Sequence, residues 1–334
     1  MPIAMVLLAC YACGVAAASP SSAKWSLPAD RTADRTLLIQ LGSDFRTYHG
    51  PCFTVLSDAG PKRARSLLVT AARTLSDIVA FSRRLDLAIS EPDSKMTVVF
   101  FDAWADYERF AREAGFHVNP AVPGFHDGRS NRCLLFNYAN AKVIRTEGSN
   151  RDAAARARLE KTHHRAREIQ TQIATYERLI TMTVVRHEIA HLVLTNLGLQ
   201  SAQPSGMRWL REGLAMQFEG EEPVNRHRLD DFLAAADCDK GLNLAALVGE
   251  SAYIGPGAKD LSARYSIAWA LVYDLIHERP RAFATYLKGP STRTLGSNGS
   301  ARTAFEAAFG HKPDAAFERG LTSRMNALVE KPEQ

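Results

Sequence analysis

Beyond its first residues, this sequence has no apolar run long enough to cross a bilayer, and it has no charged side chain before Lys24. It has no internal repeat, so solenoid and propeller arrays are excluded. It also has little net charge: +5 over 334 residues, evenly spread. That is too mild for a nucleic-acid-binding surface and reads as a solvated exterior. Hydrophobic residues at 46% and charged residues at 23% exclude disordered, collagen-like and coiled-coil chains. Cysteine is sparse and scattered. Cys52, Cys133 and Cys238 lie far apart, which excludes a C-x-x-C redox pair or a zinc ribbon among them. Cys52 and Cys133 both fall in strand-like runs, so two readings stand: a Cys52–Cys133 disulfide, or buried free thiols.

The one long apolar run is Ile3–Ala18, IAMVLLACYACGVAAA. It is short for a bilayer span and ends in Ala16-Ala17-Ala18, the A-x-A pattern of a signal-peptidase site. Residues 1–18 are therefore expected to be a signal peptide that carries Cys10 and Cys13 away, and the protein to be exported, periplasmic or extracellular. The leader lacks the usual Lys or Arg near its start. Leu7-Leu8-Ala9-Cys10 loosely matches a lipobox, which would put a lipid anchor on Cys10, and a buried N-terminal helix is a third reading.

Residues 19–36, rich in Ser, Ala, Asp and Pro, read as a linker. Residues 37–147 alternate strand and helix. Strands are expected at Phe53–Leu56, Met96–Phe101 and Cys133–Tyr138, and helices over 61–88 and Ala103–Ala114. From Gly148 the texture becomes helical through 334, as a second part of the same domain. Residues 149–197 contain no glycine or proline. A single helix of that length would measure roughly 70 Å, so a break is expected between the charged stretch 151–168 and the apolar stretch 180–197. Further helices are expected at Trp209–Glu219 and at about 226–236, 262–278, 281–288, 301–309 and 313–330. The fold class is α+β, an α/β half followed by a mainly helical half.

Within the apolar stretch, His187-Glu188-Ile189-Ala190-His191 forms H-E-x-x-H. Helix positions four apart lie on one face, so His187 and His191 can offer two imidazoles to one ion. Zn2+ suits such nitrogens. Glu188, one step round, is placed to take a proton from water rather than to bind the ion. A catalytic zinc needs a third protein ligand and an open position. Glu212, in Trp209-Leu210-Arg211-Glu212-Gly213-Leu214-Ala215, can supply it from a second helix that returns after Gly198. Small Gly213 and Ala215 would let the helices approach.

H-E-x-x-H followed at this distance by W-L-x-E-G-x-A resembles the gluzincin zinc metallopeptidases of the thermolysin clan. More narrowly, it looks like the secreted bacterial "peptidase MA-like" group. The motifs span about residues 183–220. The resemblance implies a zincin-like fold with the active-site helix between the two halves. It implies zinc on His187, His191 and Glu212, Glu188 as general base, and hydrolysis of a peptide or protein substrate through a zinc-activated water. It also implies a downstream oxyanion donor, for which Tyr265 is the candidate, with His227 and His277 behind it. Tyr265 also reads as a core tyrosine, and His277 as a cap at a helix C-terminus. The peptide would add as a strand to a sheet edge, expected at Cys133–Tyr138.

Two departures matter. The clan's histidine-orienting Asp, one turn after the third ligand, is replaced by Met216, leaving Glu219 or a residue elsewhere for that role. The G-x-M-x-N motif of zinc aminopeptidases is absent, which argues against that specificity. Two other functions also fit: a peptidase-like scaffold that binds peptides or a partner, and a zinc hydrolase of a non-peptide bond.

Overall fold

Strands β1 (Arg46–His49), β2 (Phe53–Ser57), β3 (Met96–Phe101), β4 (Gly124–Asp127) and β5 (Arg132–Phe136) form one sheet, in the order β1-β2-β3-β5-β4. The structure is a computed structural model, and it describes residues 25–118, 124–137, 182–201, 207–220, 222, 224–238, 241–249, 251–254, 260–289 and 298–329. The inner strands β2, β3 and β5 run parallel, while β1 and β4 are antiparallel to their neighbours at the two ends. Parallel strands are usually covered on both faces, which explains their near-continuous apolar sequences. In β3, Met96, Val98 and Phe100 face the main core, and Val99 and Phe101 face a second one. In β5, Cys133 and Leu135 alternate with Leu134 and Phe136 in the same way.

Three helices belong to this half. The long α2 (Gly60–Arg84) covers the main-core face through Leu67, Ala71, Leu75 and Ile78. The other face is closed by α1 (Arg31–Leu41) and α3 (Trp104–Glu113), with Leu37, Leu41 and Tyr107 packed under Phe101 and Phe136. Helix α1 corrects the expected linker. The Asp30 side chain accepts from the Ala33 N–H at 2.9 Å and caps a helix that starts inside residues 19–36. Even before it the chain is pinned, since the Leu27 N–H donates to the Pro51 carbonyl at 3.0 Å.

One further expectation is corrected, and of the two readings of Cys52 and Cys133 the free-thiol one holds. The strand containing Cys133 is interior, between β3 and β4, so the sheet edge is β4, a strand too short and too rich in Gly, His and Asp to stand out in the sequence. Cys52 and Cys133 are both free thiols. Cys133 is paired across β3 with Val98, and Cys52 lies beyond β3 on the far side, its carbonyl accepting from Met96. Two strand spacings, roughly 9–10 Å, exceed the reach of a disulfide. The leader and the charged stretch 151–168, with its expected break, lie outside the described residues. No helix among the described residues is long and apolar enough to cross a membrane.

The helical half comprises α4 (182–196), α5 (Arg208–Met216), α6 (Arg226–Ala236), α7 (Leu244–Gly249), α8 (Leu261–Glu278), α9 (Pro280–Lys288), α10 (Asn298–Phe309) and α11 (Ala315–Val329). At its centre is α8. Every residue from Ser266 to Ile276 is buried, so the helix is enclosed on all sides rather than amphipathic. Its one buried acid, Asp274, is held by the Arg324 guanidinium from α11, with Nη2 2.9 Å from Oδ2. Helix α5 lies directly on α8. A Cβ on Gly213 would stand 2.6 Å from both the Ala268 carbonyl oxygen and Val272 Cγ2. Only a residue without a side chain permits that approach. Gly213→Ala is therefore expected to push α5 off α8, lowering unfolding stability by about 1–3 kcal/mol and weakening metal retention. Denaturant unfolding of the purified variant checks this, and an unchanged midpoint would contradict the packing argument.

Candidate metal centre

The apolar face of α4, through Val185, Ile189, Ala190, Leu192, Val193 and Leu194, is fully buried and seats the helix against the sheet. That anchoring turns His187 and His191 toward α5. Their rings lie 4.8 Å apart with planes at 84°. From α5, Glu212 Oε2 stands 3.3 Å from His187 Nε2 and 3.2 Å from His191 Nε2, and the two Nε2 atoms are 3.1 Å apart. Three ligands at the corners of a tetrahedron, each about 2.0–2.1 Å from a central zinc, are separated by about 3.3 Å. His187, His191 and Glu212 thus lie close enough to hold one metal ion.

The hydrogen bonds behind the imidazoles set their tautomers. His187 Nδ1 meets Glu219 Oε1 at 3.0 Å, and a carboxylate accepts only. His191 Nδ1 meets Gln200 Oε1 at 3.2 Å, while Gln200 Nε2 donates to the Arg211 carbonyl at 3.0 Å. Each Nδ1 therefore carries the proton, and in the neutral ring each Nε2 presents a lone pair to the centre. The donor set fits a divalent cation. Gln200 reaches His191 because Gly198, at φ +76°, ends α4 in a left-handed turn that folds the chain back. Glu219 is itself locked: Arg228 donates through Nε and Nη2 at 2.9 and 2.8 Å, and Asn225 Nδ2 donates at 3.0 Å. The sequence reading offered Glu219 for this role, and the carboxylate contacts the ring. Gln200, Asn225 and Arg228 were not foreseen. No periodicity marks them, because each reaches the site from a turn or a neighbouring helix.

Without a cation, this crowding appears in the proton equilibria. Burial alone would lower the His187 pKa, but hydrogen bonds to Glu212 and Glu219 and the charge of Glu188 raise it to about 10. Burial would raise the Glu212 carboxyl, but the His191 charge and the hydrogen bonds from both histidines hold it well below its usual value. Glu219 falls to about 2, since Arg228 outweighs its burial. Glu188 moves the other way, raised chiefly by burial. It lies against β4, and a Cβ on Gly124 would be 3.4 Å from Glu188 Cγ.

Tyr265, half-buried in the first turns of α8, has its phenol pushed up by burial and then by the charge of Glu212, with Glu188 adding in the same direction. His227 and His277 are not brought in. His227 is exposed, 3.9 Å from Asp231. His277 is exposed, stacks on Tyr273 and bonds that residue's carbonyl through Nδ1 at 2.8 Å, as suits a helix end. A further residue, His126 on β4, also lies by the site. It is buried, and its pKa is lowered to about 4 by burial, then by His191 and Arg211.

The raised pKa fixes the sign of a pH effect. Metal uptake must displace the proton that metal-free His187 holds below about pH 10. Apparent affinity is therefore expected to fall about tenfold for each pH unit between 8 and 6, with at least one proton released per ion. Competition against a chromophoric chelator reads the slope, and a flat profile would exclude His187 as a ligand.

Residues 181–295 match a family model described as a protein of unknown function, DUF1570. The stretch runs from α4 through α9 and so takes in all three candidate ligands, Glu188 and Tyr265. No curated protein matches the chain.

Proposed function

We propose that this chain is an exported zinc-dependent peptidase. The observation that carries the reading is the set of three donor atoms, 3.1–3.3 Å apart, contributed by α4 and α5. Glu188 stands one residue from a ligand, beside an open sheet edge. Zinc fits because two imidazoles and one carboxylate leave a net positive charge and a vacant corner. Export is supported by the Ile3–Ala18 leader.

A zinc ion held there supplies Lewis acidity, lowering the pKa of water towards 7 and drawing charge onto a polarised carbonyl oxygen. Glu188 accepts the proton as water attacks the carbonyl carbon. Its raised pKa lets it keep that proton until the leaving amine takes it. Tyr265 is positioned to donate a hydrogen bond from its phenol to the carbonyl oxygen as negative charge grows there. Peptide substrates are favoured by β4. Among the described residues it pairs only with β5, so its outer main-chain groups are free to take an extended chain alongside Glu188.

Purified protein is expected to carry close to one zinc per chain by elemental analysis, and to cleave denatured casein or mixed peptides in a chelator-sensitive way. Glu188→Gln should retain zinc and lose about 10²–10⁴-fold in turnover. Full turnover by the variant, or no zinc in the parent, would end the peptidase reading. Tyr265→Phe should lower kcat by about 10²-fold with little change in KM, as expected for a donor used in the transition state. An unchanged kcat removes that role from Tyr265.

A further inference from the structure

Most of the arginines around the metal centre are spoken for. Arg228 grips Glu219, and Arg186 bonds Asp77 and the Phe218 carbonyl. Arg208 donates to the Ile254 carbonyl, and Arg264 lies over the Tyr253 ring. Arg211 differs. It is half-buried on α5, next to Glu212, and its buried Nε has no hydrogen-bond partner. Its guanidinium makes no ion pair with any described residue. It nevertheless stands within electrostatic reach of Glu188 on α4 and of His126 on β4.

Its backbone is tied to the metal centre, since the Arg211 carbonyl accepts from Gln200 Nε2 at 3.0 Å and Gln200 Oε1 meets His191 Nδ1 at 3.2 Å. The region is rigid. Asn131 and Asn196 exchange amide hydrogen bonds at 2.9 Å in both directions, tying the β4–β5 turn to α4. Asn131 Oδ1 also accepts from His126 Nε2 at 3.4 Å, so that ring can be neutral. Of the carboxylates nearby, Glu212 is engaged by both histidines, and no hydrogen bond joins Glu188 to Arg211. A buried guanidinium N–H with no acceptor is costly, and such groups are normally paired. Its planar fork matches a carboxylate in a bidentate geometry.

We infer that Arg211 is a specificity-determining residue that receives a carboxylate of the substrate beside the metal, so that the preferred substrates are peptides with an acidic side chain or a free C-terminus near the cleaved bond. The inference rests on the peptidase reading. Binding is measured by fluorescence anisotropy on zinc-loaded Glu188→Gln protein. Three versions of one labelled peptide are used: neutral with blocked ends, blocked with an internal Glu, and neutral with a free C-terminal carboxylate.

One of the two carboxylate peptides should bind at least about tenfold more tightly than the neutral one, and which one identifies the source of the group. Arg211→Gln should erase that difference, and Arg211→Glu should turn the preference toward a Lys-bearing peptide. Zinc content is checked in each variant, and Arg211→Gln carries the test if the charge reversal fails to fold. Equal binding of all three peptides, unmoved by Arg211→Gln, overturns the inference and leaves the peptidase reading standing. If no peptide binds and the parent protein cleaves none, the peptidase reading fails and takes the inference with it.

Discussion

Two imidazole nitrogens and a carboxylate oxygen held 3.1–3.3 Å apart in a largely buried site repel one another unless a proton or a cation stands between them. The rest of the molecule is arranged to keep that crowding in place. Each histidine is fixed from behind by an acceptor that forces its proton onto Nδ1, and each acceptor is fixed in turn: Glu219 by Arg228 and Asn225, Gln200 by the Arg211 carbonyl. Donors that could rotate away would escape the repulsion and lose the ion. Donors locked by this outer layer cannot, and that favours metal uptake over relaxation.

The lock depends on packing some distance from the donors. Helix α4 holds its azimuth because its apolar face is buried against the sheet and α2. Helix α5 brings Glu212 into range because Gly213 lets it rest on the backbone of α8. The enclosed α8 is therefore the platform of the site as well as the centre of the helical core. On the opposite side, β4 packs so tightly on Leu134 and Leu135 of β5 that residue 124 has no room for a side chain, and Glu188 lies in van der Waals range of that position.

Much of this was legible in the sequence where periodicity or residue chemistry is local. The inner strands, α2, α5, α6 and α8 to α11 lie within a few residues of where their apolar patterns put them, while the short α7 has no counterpart among the expected helices. The H-E-x-x-H spacing by itself implies two histidines on one helix face. The failures share a cause. Helix α1 was hidden in linker-like composition because its buried residues, Leu37 and Leu41, are few and its cap is a single Asp. The edge strand β4 is four residues long and lacks an apolar run, so the longer β5 was mistaken for the edge.

The sequence by itself determined the chemistry on offer: two imidazoles one helical turn apart, a carboxylate beside the first, and another carboxylate on the following helix. Those follow from residue identity and the helical repeat, which act over a few positions. Only the tertiary structure decided that Glu212 meets both rings, that Gln200 and Glu219 orient them, and that the buried Arg211 Nε finds no hydrogen-bond acceptor among the described residues. Such distances depend on how helices and a sheet edge pack across many intervening residues, and no spacing along the chain encodes them.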